Sequence, residues 1–338
     1  MSKISWFLYI VLIILLLVVH WYIPTRPIQP QHPATGMPNT KNTPAQPPAP
    51  RTPYNEDEIV APIKEIYRTY IRLNYIKRWE IVWPPKTGHV INETLCAELN
   101  LDPAVISLMK RIPYFDDWYS AANVEFYTHS RAMVYLEDKE IRGGRDPDRF
   151  GGFDELRLDY LLPHEITLIC SDDEGSNIIL HIKETAIRVQ DFYQWPPGKA
   201  LPEDYDYKPE RPDEEDHYRN FHAHHAPTWL SDFLKQIQAL EILPINAGHR
   251  SLVAKDDKQA ILVEKILREE FGWPDNFREA EWRAVGESVC RQLGEEDVDY
   301  DEIARTVQTI EEQEVQGEDA IVAYGKPVYE EEIDGPRE

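Results

Sequence analysis

The pattern of apolar and polar positions divides the chain sharply. Ile4 to Ile23 is one apolar run without a formal charge. At about 1.5 Å of rise per residue it makes a helix of roughly 30 Å, the thickness of a bilayer's hydrocarbon core. His20, Trp21 and Tyr22 fall where an interfacial belt would sit. The bulky residues that close the run lack the small-residue cleavage pattern of a signal peptide, so residues 4–23 are expected to be an uncleaved transmembrane anchor. From Pro24 to Pro53, ten of thirty residues are proline. Few apolar side chains accompany them, so residues 24–53 are expected to be a disordered linker.

Helical spacing begins after the linker. Ile59, Ile63, Ile66, Tyr67, Tyr70 and Leu73 recur on one face behind Asn55, a capping residue followed by Glu56, Asp57 and Glu58. This helix is expected to stop before Trp83-Pro84-Pro85. Asp102 as cap and Pro103 at the first helical position signal a second helix, closed by Pro113. Residues 142–155 read as a loop by composition. Three strand-like runs then follow in close order, over 165–170, 177–182 and 186–192, and their short connections predict an antiparallel meander. After a Pro-, Asp- and Glu-rich stretch, Trp229, Leu230, Phe233, Leu234, Ile237 and Leu240 form a helical stripe. Beyond Pro244 the pattern reads as helical, over 259–271, 277–293 and 301–313. The predicted fold class is α+β, a small antiparallel sheet packed with helices. It is expected to occupy residues 54–244, with a helical extension over 245–315 and an acidic tail over 316–338.

Composition narrows the choice of partner. Sixty acidic against 36 basic side chains give a formal net charge of −24. That charge opposes nucleic acid and anionic membrane surfaces and suits a protein partner of basic or mixed charge. From Glu295 onward there are 16 acidic and 3 basic residues. Cys96, Cys170 and Cys290 are odd in number and far apart, which makes no disulfide framework and favours a reducing compartment. Asn92-Glu93-Thr94 is a formal N-glycosylation acceptor, relevant only in a lumen. Lys3 before the anchor and Arg26 and Lys41 after it give the positive-inside rule almost no asymmetry, so charge does not choose the side. The free thiols tilt the choice to the cytosol.

Two constellations carry candidate chemistry. His217, His222, His224 and His225 lie within nine residues, and imidazoles bind Zn²⁺ or Ni²⁺ well. Their spacing matches no helical ligand pair, and the segment reads as a solvated loop ahead of a helix. Asp297, Asp299 and Asp301 alternate like the opening of an EF-hand loop. Glu302 then stands where glycine is needed, and Gln308 where a bidentate Glu belongs. No hydrolase nucleophile elbow, phosphate loop or dinucleotide fingerprint is present. No cofactor is expected. The aromatics Trp79, Trp83, Trp118, Trp195, Trp229, Trp273 and Trp282 read mostly as core or rim, and an exposed subset would mark a partner surface.

The stretch Leu161 to Leu240 resembles the SUKH superfamily, which includes a yeast cell-wall-synthesis regulator and many bacterial toxin-immunity proteins. The likeness is an order of features. Leu162-Pro163 leads into a strand, and the acidic turn Asp172-Asp173-Glu174-Gly175 leads to a second. A third ends in Asp191-Phe192-Tyr193-Gln194-Trp195, and a helix with Trp229-Leu230-Ser231-Asp232-Phe233-Leu234 follows. Upstream, Ile112-Pro113-Tyr114-Phe115 is similar to uncharacterised filamentous-fungal proteins of like layout. The resemblance covers about half the chain. The family's early Leu-Pro followed by an aromatic-and-glycine segment is not recognisable here, and a membrane anchor is unusual for it. The resemblance implies an α+β interaction module without catalytic residues. The expected function is therefore a membrane-anchored noncatalytic protein-interaction module. The alternative is a membrane-tethered metal-dependent enzyme using the His217–His225 cluster.

Overall fold

The computed structural model describes residues 53–152, 154–171, 175–191 and 208–294. The anchor, nearly all of the proline-rich linker, Asp297, Asp299 and Asp301, the 301–313 helix and the acidic tail lie outside the described residues. Among the described residues no helix is long and apolar enough to cross a membrane.

The leading helix α1 (Glu56–Arg72) starts where its cap requires, with the Asn55 side chain accepting from the Asp57 N–H at 3.1 Å. It ends at Arg72, well before Trp83-Pro84-Pro85 as expected, because Asn74 adopts φ 57° and turns the chain away. A 3₁₀ turn (Arg78–Glu80) leads into β1 (Ile81–Val82), then α2 (Glu93–Glu98) and α3 (Pro103–Arg111). The α3 start follows its signal, with Asp102 capping the Ala104 N–H at 3.0 Å and Pro103 at the first helical position. Strand β2 (Tyr114–Phe115) pairs antiparallel with β1. Helix α4 (Trp118–Ala122), strand β3 (Ser130–Ala132) and helix α5 (Asp138–Gly143) complete the first half.

The predicted meander is present as β4 (Glu165–Ser171), β5 (Ser176–His181) and β6 (Ala186–Asp191), all antiparallel. It is the centre of a five-stranded sheet, because β3 adds to β4 and β7 (Ala223–His225) adds to β6. Gly175 in the β4–β5 turn lies against β3, where a Cβ would stand 1.9 Å from the His129 carbonyl oxygen. Only glycine fits that approach. Helix α6 (Ala226–Gln238) follows directly.

A helical pattern beyond Pro244 does not begin there. Ile242–Asn246 and Arg250–Ala254 form the hairpin β8–β9, paired from Ile242↔Ala254 to Asn246↔Arg250, so a boundary at 244 cuts through a strand. The helices α7 (Lys258–Glu269) and α8 (Glu279–Leu293) then match expectation closely. They share the main core with α1. The Trp282 indole donates to the Leu73 carbonyl at 2.8 Å, and Asn74 donates to the Arg283 carbonyl at 3.2 Å.

The sheet has two unlike faces because side chains alternate along each strand. Ile166, Leu168, Ile178, Leu180, Ile187 and Val189 share one face. A register shift between Thr167 and Ile169 turns Leu168 and Ile169 to that side together. Helices α1 and α6 cover it through Ile63, Ile66, Tyr67, Trp229, Leu230 and Phe233, leaving an apolar void of about 30 Å³. The opposite face carries Glu165, Thr167, Asn177, His181, Arg188 and Gln190, every one of them buried.

Candidate functional site

Buried charge needs partners, and two segments supply them across the polar face. The first, read from composition as a loop, brings Arg145 (4 % exposed) and Asp146 (fully buried) inside. Arg145 donates to the Glu165 carbonyl at 3.1 Å, to the Leu162 carbonyl at 3.1 Å and to the Leu161 carbonyl. Asp146 takes a bidentate fork from Arg157, at 2.8 and 2.7 Å, and the Arg157 N–H at 2.8 Å. The second segment, residues 208–221, crosses below. Asn220 ties it together by donating to the carbonyls of Arg211, Glu214 and Glu215, while Arg188 donates to the carbonyls of Phe221 at 2.7 Å and Arg219 at 3.1 Å.

The buried carboxyl of Glu165 lies at the centre. Tyr218 donates to it at 2.5 Å and the Leu162 N–H at 2.7 Å. Burial raises its pKa, offset in part by these hydrogen bonds. Asp148 is raised by burial too, although Arg157 at 3.2 Å and Asn177 at 2.7 Å donate to it. The Glu165 and Asp148 carboxyls accept from their neighbours, while the Nε–H groups of Arg145 and Arg188 are buried without a partner among the described residues.

The four sequence-selected histidines separate in space. His217, 3 % exposed, caps the 3₁₀ turn at Tyr218–Asn220. Its Nδ1 accepts from the Arg219 N–H at 3.2 Å, and its ring packs 4.9 Å from Tyr160. Burial, then Arg211, Arg219 and Arg157, push its pKa down to about 4. The segment from 223 to 225 is strand β7 rather than a solvated loop, because it pairs with Ala186, Ile187 and Arg188. Alternation then turns His224, opposite Ile187, away from His225, opposite Ala186. His224 is pushed down to about 4 by burial first and then by His222, whose ring centroid is 4.8 Å away. His225 Nδ1 meets Thr228 Oγ1 at 2.8 Å at the start of α6. Among the described residues no three His, Cys, Asp or Glu side chains are placed to hold a metal ion.

The remaining candidates have structural surroundings. Cys96, Cys170 and Cys290 are free and buried, and burial raises the Cys290 thiol to about 12. Asn92 caps α2 by accepting from the Leu95 N–H at 3.1 Å, and its amide donates to Asp138 at 2.9 Å.

The aromatic side chains are not all core. Trp79 is 78 % exposed and Tyr119 73 % exposed. The Asp116 N–H donates to the Glu80 carbonyl at 2.8 Å, continuing the β1–β2 ladder by one residue. Trp79 precedes that hydrogen bond and Tyr119 follows it on α4, so both flank one small ribbon with exposed Asp116 and Asp117. The ribbon is fixed from below by Glu80, which accepts from Arg250 of β9 at 2.8 Å through both oxygens. Sequence reading placed Trp79 among the core-or-rim aromatics. The one available signal was its position between the charges Arg78 and Glu80, outside any apolar periodicity. Comparison with protein-family models, with curated proteins and with solved structures finds no match to this chain.

Proposed function

We propose that this chain is a noncatalytic protein-interaction module, held at a membrane by residues 4–23 and carried on the proline-rich linker. The single observation that carries the reading is the Trp79–Tyr119 ribbon. Large aromatic side chains are costly to leave in water, and as rigid anchors they supply most of the energy of many interfaces. Trp79 stands beside Glu80, whose carbonyl accepts from the Asp116 N–H and whose carboxylate is held by Arg250, so little backbone entropy is lost there when a partner covers it. Exposed Asp116 and Asp117 beside them, on a chain of net charge −24, suit a partner segment of basic or mixed charge. The SUKH-like order of strand, acidic glycine turn, strand, strand and helix supports an interaction role as well. A tether keeps such a module concentrated near membrane-bound partners without fixing its orientation.

The test uses the full chain in its own membranes. Quantitative co-purification is compared between wild type and the Trp79→Ala/Tyr119→Ala double variant, at low and at about 0.5 M salt, where screening shortens electrostatic reach to a few Å. The expected result is a basic partner enriched at least tenfold by wild type over the variant and released by salt. Equal recovery by both chains would overturn the assignment to this surface.

A further inference from the structure

Two further histidines, outside the sequence-selected cluster, meet ring to ring at the end of the sheet. His164 precedes β4 and His181 ends β5, and their Nε2 atoms are 3.0 Å apart. His181 is 8 % exposed and His164 partly buried. One hydrogen bond fixes both tautomers. His181 Nδ1 accepts from the Glu184 N–H at 3.0 Å, so its neutral ring carries the proton on Nε2. That Nε2–H donates to His164 Nε2, which leaves the His164 proton on Nδ1. A metal-ligating imidazole bonded through Nε2 donates its Nδ1–H outward. His181 Nδ1 is an acceptor, so the pair is not arranged around a metal.

We infer that the His164–His181 pair is a proton-operated clasp that locks the β4–β5 corner when neutral and releases it when either ring is protonated. A proton added to His164 Nε2 sets two N–H donors against each other at 3.0 Å. A proton added to His181 Nδ1 faces the Glu184 N–H in the same way. Either ring must swing out.

The surrounding charges agree with this direction. From the β5–β6 turn, Lys183 opposes protonation and Glu184 favours it. Arg145, beyond α5, and Arg188 of β6 oppose it, and Asp102 at the α3 cap favours it. Burial is the largest influence on both rings, and both pKa values lie below the ordinary 6.5. The clasp is therefore closed above about pH 6.5 and opens as the medium acidifies. The corner it holds joins two elements. The Ile182 N–H donates to the His164 carbonyl at 3.0 Å, the Asp102 N–H donates to the Pro163 carbonyl at 2.8 Å, and Lys183 reaches Asp102 at 3.7 Å. Opening would free the end of the sheet from the start of α3.

Hydrogen exchange of the full chain, read on peptides covering 98–104 and 160–184 and corrected for intrinsic rate, tests this between pH 7.5 and 5. A local opening that takes up one proton becomes about tenfold more frequent per pH unit. Wild type is expected to lose protection at least tenfold over that range. The double variant His164→Gln/His181→Gln, which has no ring left to take a proton, should keep constant protection. Unchanged protection in wild type, or equal acid loosening in the double variant, overturns the clasp. Should the double variant not fold, the ¹⁵N spectrum of His-labelled wild type decides. Nε2–H on His181 at pH 7.5 supports the clasp, and Nδ1–H refutes it.

Discussion

Acidification should destabilise this domain through the buried ring of His217. His217 has a folded pKa of about 4 against 6.5 for an unperturbed ring. The unfolded chain therefore binds the proton between those values and the folded chain does not, so stability rises with pH. The contribution is complete above pH 6.5 and is lost progressively as the pH falls towards 4. At pH 5 the unfolded ring is almost fully protonated and the folded ring about one-tenth so. The loss from this residue alone is then about 2 kcal/mol, a large part of a typical 5–15 kcal/mol. Because His217 is only 3 % exposed, solvent screening takes little from that figure. His224 acts in the same direction with a smaller share, since it is partly open to solvent. The buried carboxyls Glu140, Asp148 and Glu165 are raised instead, so they gain stabilising weight as pH falls and oppose the histidines. A variant separates the two groups. Asn at position 217 keeps an oxygen that can accept from the Arg219 N–H, as the cap requires, but cannot titrate. Urea unfolding followed by tryptophan fluorescence at pH 7.5 and 5 should show His217→Asn losing about 2 kcal/mol less on acidification than wild type. Equal losses would refute the assignment of acid sensitivity to this ring.

Two other outcomes follow from the same contacts. Asp146→Asn weakens a charge-assisted fork to Arg157, which is partly exposed and keeps Asp148 as a partner, and should cost about 1–3 kcal/mol in urea unfolding at neutral pH; no cost would mean that the Asp146 charge does not hold this segment. Arg250→Met removes the bidentate clamp on Glu80 and should weaken partner recovery several-fold while Tm falls only a few degrees, a split that an ordinary stability defect would not give.

The elements that could be read from the sequence were those whose own residues enforce them. Asn55 and the Asp102-Pro103 pair announced α1 and α3, and short polar turns announced β4 to β6. What escaped was made by tertiary pairing. Strands β3 and β7 are three residues each, too short for a period to show, and exist because the edges of β4 and β6 bind them. Pro244 read as a break, yet it sits within β8 in a two-stranded hairpin, where one strand edge stays unpaired and a missing N–H is tolerated. Arg145 and Asp146 sat in a segment that composition marks as loop. Their burial depends on carbonyls and a guanidinium from residues 11 to 20 positions away, which no local pattern reveals.

That distinction bears on how the surface at Trp79 is built. Glu80 is held by Arg250, the Arg250 carbonyl receives the Glu125 N–H at 3.3 Å, and Glu125 in turn accepts from the Leu252 N–H at 3.0 Å. Strand β9 is thus stitched to Glu80 at the start of the ribbon and to Glu125 beyond α4. The hairpin itself rests on α8, whose Trp282 reaches back to the end of α1. Residues beyond 244 are therefore the support of the proposed recognition surface, and not an appendage to a finished domain. A surface assembled from both ends of the folded chain is presented in one geometry only when the whole domain is folded. Loss of the Arg250 clamp would then weaken the proposed recognition before the fold is lost.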